Sequence, residues 1–345
     1  MRAVSHSEAS VLLDCGLKWD LAYGGRILGH TLAPLVAHPR LRDGRAWGRA
    51  VAALHQHGSI TDHAVDEAQM ALTISLSEDA DQMMDAGVFD QAEAQDTSDR
   101  LVAMLRHYAE TTEPLRLERL EEEILVPIPS RTGKRASNKY RLQCFFDGIH
   151  VDDEGRTFIV EFKLRGTLTD LEKIQRDRQI RWYAWAYREA TGTEVDGVIV
   201  DERLNRAPEP PKVLKNGRPS MDQRQYTTKD LFREAVAPFW SEMSDLAREE
   251  ATAAAEAFDQ RRWQARHVLF FRNDEINEAG HQIVSAARQI ALMESGDLYP
   301  TRNPNPSRCG GCQFADICVT PTDLEFVRTN YRITEPKSQR ETKTA

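Results

Sequence analysis

Residues 141–165, RLQCFFDGIHVDDEGRTFIVEFKLR, constrain the fold more than any other stretch, because two β-rich runs flank a short acidic turn at Asp152, Asp153, Glu154 and Gly155. A hairpin is the predicted structure. In its second strand Phe158, Val160 and Phe162 alternate with Ile159, Glu161 and Lys163, and the two-residue period of a strand puts Glu161 and Lys163 on the face opposite the phenylalanines. Asp147, beside Gly148 on the first strand, comes level with them if the strands pair. Two carboxylates a few ångströms apart repel unless a cation lies between them, and Mg2+ or Mn2+ takes hard oxygen ligands while keeping waters. The same residues also read as a strand-end turn at Asp147 and a solvated cross-strand ion pair.

The rest of the chain places this hairpin in a mixed α/β core. ILVPIPS, at 124–130, reads as an edge strand because Pro127 and Pro129 cannot donate to a ladder. A polar helix is predicted over 169–191, then an apolar strand DGVIV at 196–200 and a Pro-rich basic loop over 201–227. A long helix over 228–262, the strand RHVLFFR and a helix over 275–294 follow. Upstream, Ser5 and Glu8 have capping-box spacing and open a helix carrying Val11, Leu12, Cys15, Trp19 and Ala22. Further helices are read over 47–57 and 62–109, with a break near Gly87. The expected organisation is a helical region 1–109, a core 110–272, a C-terminal helix and cysteine module 273–330 and a polar tail 331–345, disordered from residue 335 onward.

Hydrophobic content of 41% and charged content of 29% are those of a soluble globular protein. No apolar run is long enough to span a bilayer and MRAVSHSEAS lacks a signal-peptide segment, so no membrane partner and a cytoplasmic location are expected. A net charge of -9 argues against general polyanion binding but leaves room for a local groove. Two segments qualify. RTGKRASNKYR at 131–141 is uniformly basic, and Lys173, Arg176, Arg178, Arg181 and Arg188 are interleaved with Trp182, Tyr183, Trp185 and Tyr187. Both a nucleic-acid groove and a solvated face over an aromatic core fit that second pattern.

Three cysteines, Cys309, Cys312 and Cys318, fall in NPNPSRCGGCQFADIC with the spacing C-x2-C-x5-C, a metal-binding pattern. A fourth thiolate must come from elsewhere. Cys144, between Gln143 and Phe145 in a strand, reads as a buried core thiol, whereas Cys15 would clamp the two ends of the chain together. Thiolate ligation suits zinc or an iron-sulfur cluster, and spacing alone favours zinc.

Taken in order, Cys15, Asp147, Glu161-x-Lys163, Gln179-x3-Tyr183 and the terminal C-x2-C-x5-C resemble the RecB-like branch of the PD-(D/E)XK nucleases. The likeness is to the CRISPR-associated and phage-encoded (Cas-four-like) exonucleases and the AddB-type helicase-nuclease subunits, and it runs from about Cys15 to Cys318. The resemblance implies a restriction-endonuclease-like mixed sheet flanked by helices, with an N-terminal helical region and a C-terminal iron-sulfur module. It implies a metal-dependent DNA exonuclease acting on single-stranded or duplex ends, with a recombination or replication protein as a further partner. Asp147, Glu161 and the Phe162 carbonyl would hold Mg2+ or Mn2+, Lys163 would position or polarise the attacking water, and Gln179 and Tyr183 would face the site. Cys15, Cys309, Cys312 and Cys318 would hold a 4Fe-4S cluster instead of zinc.

The family also has a metal-ligating His in G-x-x-x-H. Here Gly48 is followed four residues later by Ala52, leaving His55 as the candidate third ligand and Glu118 and Glu121 as fallbacks. That departure supports an alternative, a catalytically weak DNA-binding or assembly subunit on the same fold. A zinc-stapled DNA-processing protein is the other.

Overall fold

A computed structural model describes residues 2–129, 136–305, 309–319 and 324–339. In chain order the elements are β1 (Arg2–Ser5), α1 (His6–Asp14), α2 (Gly16–Trp19), β2 (Thr31–Pro34), α3 (Pro39–His55), α4 (Asp62–Asp85), α5 (Gln91–Thr111), β3 (Leu117–Pro129), β4 (Ala136–Val151) and β5 (Thr157–Arg165). Then come α6 (Leu171–Gln175), α7 (Arg178–Thr191), β6 (Gly197–Leu204), α8 (Lys229–Val236), α9 (Asp245–Asp259), β7 (Gln264–Leu269), α10 (Asn273–Ser295), α11 (Ala315–Val319), α12 (Leu324–Asn330) and β8 (Tyr331–Thr334).

Six strands form one sheet in the order β1-β4-β5-β6-β7, with β3 on the outer side of β4 as the predicted edge strand. The pairings β1–β4 and β5–β6 are parallel, and β3–β4, β4–β5 and β6–β7 antiparallel. The sheet is mixed because β5 reaches β6 through the α6–α7 crossover that a parallel neighbour requires. Strand alternation divides the core in two. Phe158, Val160 and Phe162 pack under α3, α4 and α5, while Leu142, Cys144 and Ile159 pack under α1, α7 and α10. Helices therefore cover both faces. Among the described residues no helix is long and apolar enough to cross a membrane.

Several local expectations change, each for an identifiable reason. Residues 2–5 form a strand of the central sheet, so the N-terminal region contributes to the core it was expected to flank. Ser5 does cap α1 by accepting from the Glu8 N–H at 3.2 Å, but the Glu8 side chain turns inward to Arg2, Trp19 and Lys337. The helix then ends at Asp14, and Cys15 lies in an extended break at φ -162°. The helix over 169–191 is split because Asp177 caps α7, its side chain accepting from the Gln179 N–H at 2.9 Å. The helix over 228–262 is interrupted by a 3-10 turn, Ala237–Glu242, which contains Pro238, and α9 restarts with Ser244 as its cap.

The aromatic residues of α7 settle into the core: Trp182, Tyr183, Trp185 and Tyr187 are all buried. Burying a large apolar side chain stabilises by about 1.5–3 kcal/mol. Trp185 lies so close to Gly280 of α10 that a Cβ there would meet its Nε1 at 2.4 Å. The tail is ordered as far as described. Residues 331–334 pair with β2, and Lys337 donates to the fully buried Glu8 at 2.9 Å, while 340–345 lie outside the described residues. Residues 131–135 of the basic segment also lie outside them.

His55 is a core residue, which corrects its candidacy as a metal ligand. It is fully buried, stacked on Phe162 at 5.6 Å, and Leu115 N–H donates to its Nδ1 at 3.1 Å. Tyr108 donates to Asp201 at 3.0 Å, so its oxygen accepts from His55 Nε2 at 3.1 Å. Both ring nitrogens are occupied and the ring is neutral. Burial, helped by the charge of Arg266, lowers the His55 pKa to about 3; burial also lowers His6 and His107 to about 4.

These three rings take protons less readily folded than unfolded. The stability their neutral forms carry is complete above the ordinary histidine value of about 6.5 and is lost as pH falls through their folded values. The thermal midpoint is expected to drop across that window. The His55 ring resonance should not titrate between about pH 7 and 5, and a midpoint near 6.5 for His55 would contradict the buried assignment.

Candidate active site

The site lies where the sheet forks. The ladder between β4 and β5 runs only from Val151 to Gly148, and farther along the same edge β1 takes over at residues 140–143. Residues 144–147 lie between the two ladders. Beyond the last β4–β5 pair, the Asp147 carboxylate accepts the Phe162 N–H at 2.7 Å, so its side chain takes the place of a ladder carbonyl. That bond holds Asp147 beside Glu161. The hairpin turn closes as the sequence suggests, with Gly155 at φ 78° and Asp152 Oδ1 accepting the Glu154 and Arg156 N–H groups.

Glu161 and Lys163 point the same way along β5 and form a direct ion pair. Gln179 completes it, donating to Glu161 at 2.8 Å and to the Tyr183 hydroxyl at 2.8 Å while accepting from Lys163 at 3.0 Å. Gln179 and Tyr183 meet because they are four residues apart on α7. Asp177, by capping that helix, fixes where Gln179 emerges. Burial pulls the Lys163 ammonium toward neutrality, but the charge and hydrogen bond of Glu161 outweigh it and raise its pKa above the usual lysine value. Lys163 is therefore a fixed cation and not a base. Burial, with the neighbouring Glu161 charge, raises Tyr183 well above the ordinary phenol value and keeps it neutral.

Asp147, Glu161, Phe162 and Lys163 line one wall of a cavity of about 360 Å3. The opposite wall is α3: Arg40, Leu41, Gly44, Arg45, Gly48, Arg49 and Ala52. The position that the resemblance would give to a histidine is thus in the cavity, but it holds Ala52. Glu118 does not line the cavity, and the Glu121 side chain lies outside the described residues. Sequence reasoning missed Asp177, Arg45 and Arg49. The residue two before Gln179 is a strong capping type, and Arg45 and Arg49 recur with Gly48 at helical spacing; both signals were legible. Gly44 and Gly48 inside a helix cost about 0.5–1 kcal/mol each relative to alanine.

As for holding a cation, Glu161 is 5% exposed and its Oε2 has no hydrogen-bond partner. Two carboxylates and the Phe162 carbonyl make an all-oxygen donor set suited to one hard divalent ion. Among the described residues no three His, Cys, Asp or Glu side chains stand close enough to hold a metal without such help.

Cys15, Cys309, Cys312 and Cys318 line a second cavity, of about 660 Å3. They share this cavity because the loop after α10 docks on the break behind α1: Leu17 N–H donates to Thr301 O at 2.9 Å and Asn303 donates to Asp14 O at 2.9 Å. The break in the helix, unforeseen in the sequence, turns Cys15 toward that loop. The four thiols share a wall without converging on one point. Cys144 is buried in the core, where burial raises its thiol pKa well above the ordinary value.

Residues 3–319 match the family model described as "PD-(D/E)XK nuclease superfamily". No curated protein matches the chain. A solved structure titled "Crystal structure of SSO0001" aligns over 81% of this chain and 85% of that one at 12% identity, with a TM-score of 0.31, too low to support an argument.

Gln179→Ala would leave the Tyr183 hydroxyl without this donor and take away one of the two donors to Glu161 Oε1 and one of the two acceptors of Lys163. The expected loss is about 1–3 kcal/mol by urea unfolding with an unchanged m-value. A loss below about 0.5 kcal/mol would mean that Gln179 does not hold the pair.

Proposed function

The chain belongs to the PD-(D/E)XK nuclease superfamily, and from that premise we propose that it is a Mg2+- or Mn2+-dependent DNA exonuclease that hydrolyses phosphodiester bonds from single-stranded or linear ends. The observation that carries the proposal is the orphaned Oε2 of Glu161, a buried carboxylate oxygen that shares its cavity with Asp147 and Lys163. An unmet charged acceptor costs several kcal/mol, which a divalent ion held by Asp147, Glu161 and the Phe162 carbonyl would offset. When bound, such an ion polarises a phosphoryl oxygen and lowers the pKa of a coordinated water.

The chain's own residues supply the rest. Lys163, kept protonated by Glu161 and oriented by Gln179, presents a positive charge where negative charge grows on the phosphate. Tyr183 and Asp177 are positioning residues that act through Gln179. Ala52 in the cavity wall favours one competing reading, a DNA-binding or assembly subunit with weakened catalysis. A recombination or replication protein as partner follows from the resemblance alone.

We assign a structural 4Fe-4S cluster to Cys15, Cys309, Cys312 and Cys318; what supports this is their shared cavity and thiolate donor set. Ligation needs the thiols to close toward one another. Broad visible absorption that is lost in Cys312→Ser is the expected signature, and a colourless protein carrying one zinc per chain would replace the cluster with zinc.

The activity test is digestion of end-labelled linear DNA beside a covalently closed circle, with Mn2+ present. Degradation of the linear molecule alone is expected, falling at least about 100-fold in Lys163→Ala and in Asp147→Asn. Cutting of the circle would make it an endonuclease, and undiminished activity in both variants would remove this site from the reaction.

A further inference from the structure

We propose that the α3 wall of the cavity is the seat of one DNA strand, with Arg45 and Arg49 holding phosphates beside a bare strip formed by Gly44 and Gly48. The proposal rests on the nuclease reading and names the surface that would present the substrate to Glu161. Gly44 and Gly48 are one helical turn apart on the cavity face, and a Cβ at either would meet nothing within 4 Å. Close packing therefore does not explain them, as it explains Gly280 against Trp185. What they do is leave the helix backbone open toward the cavity, where a sugar-phosphate chain can approach.

The charges around that strip fit the same ligand. Arg40, Arg45 and Arg49 lie on this wall, facing the carboxylates of Asp147 and Glu161 across the cavity. Arg45 is paired with Asp79 and Arg49 with Glu78, at 2.7 Å for the latter, both carboxylates coming from α4. The Arg49–Glu78 pair is open to solvent and contributes little, so a phosphate, which offers an arginine the same two-oxygen contact, can take that carboxylate's place; Asp79 is buried, so Arg45 keeps it and meets a phosphate with other N–H groups of its guanidinium. On the facing wall, the unpartnered Oε2 of Glu161, 5% exposed, marks the point to which a bound strand would be led. The cavity, of about 360 Å3, has room for a phosphate and its sugar between this wall and the carboxylates. The chain as a whole carries a net charge of -9, so attraction for DNA has to come from local basic surface such as this wall.

The test measures binding of a fluorescein-labelled single-stranded oligonucleotide by anisotropy, with Mg2+ present and Lys163→Ala as the cleavage-deficient background. Adding Arg45→Ala and Arg49→Ala together is expected to weaken binding about tenfold and to flatten the slope of log K against log salt by about 1.4, at about 0.7 per single-strand phosphate contact. Gly48→Leu is expected to keep or raise the thermal midpoint, since leucine favours a helix, and yet to weaken binding about tenfold. A cooperative thermal transition shows that the arginine variants are folded, and Arg49→Ala alone, whose partner Glu78 is exposed, is expected to keep the midpoint and to flatten the slope by about 0.7. Unchanged affinity and salt slope in the double arginine variant, or unchanged binding by Gly48→Leu, would overturn the proposal. Digestion of linear DNA by the unsubstituted protein separates the two readings. Digestion with arginine-independent binding removes the α3 seat and leaves the nuclease; arginine-dependent binding without digestion does the reverse.

Discussion

The ion pair of Glu161 with Lys163 is the interaction around which the neighbouring elements are arranged. A carboxylate taken out of water costs several kcal/mol, and a single ammonium repays that only if the remaining lone pairs and protons also find partners. Gln179 serves both members at once, which fixes the orientation of α7 over β5 and in turn requires the break at Asp177. One oxygen of Glu161 is still left over. A core built only for stability would have filled that place with an apolar side chain. The leftover acceptor, a second carboxylate on the adjoining strand and a fixed cation together make sense as a place for a hard metal ion and a phosphate.

The fork in the sheet provides the space for this arrangement. If β4 and β5 stayed paired along their whole length, the backbone ladder would satisfy Phe162 and Asp147 would have no bond to make there. Because β1 replaces β5 along β4, the N-terminal segment becomes part of the sheet that forms the site. The chain's ends are accordingly held with care. Glu8 is fully buried between Arg2, Trp19 and Lys337, and the charge and hydrogen bonds of these cations keep its pKa low against the effect of burial. Strand β8 pairs with β2, and Arg26 donates to the carbonyls of Met293, Gly296 and Leu298 at the C-terminal end of α10, where a cation is favoured by the helix dipole. These contacts join the ends whether or not the cysteines bind anything, so a group held by the four thiols would reinforce a closure that the protein already makes.

Much of the site was legible in the sequence because strand and helix periods are local. The alternation in 157–165 placed Glu161 beside Lys163, and the spacing of Gln179 and Tyr183 placed them on one helical face. Asp147 came level because a short turn fixes the hairpin register. What could not be read was anything decided by tertiary packing. His55 is a reasonable ligand by position, but Tyr108 and Leu115, distant in sequence, claim both of its nitrogens. The basic and aromatic face of α7 suited a nucleic-acid groove as well as a core until α10 covered its tryptophans. Strand β1 was hidden because four residues are too few to show a period. The expected single helix through Cys15 failed because the docking loop from residues 301–303 supplies the hydrogen bonds that a helix would otherwise make there.

The central claim is that Asp147 and Glu161 together hold one divalent cation. Calorimetric titration of Mn2+ into the metal-free protein, compared with Asp147→Asn and Glu161→Gln, tests it without reference to any substrate. One saturable site per chain that disappears in each variant is the result the account predicts. Binding of the same stoichiometry and affinity in both variants would contradict it, since no other oxygen cluster would then depend on these two side chains.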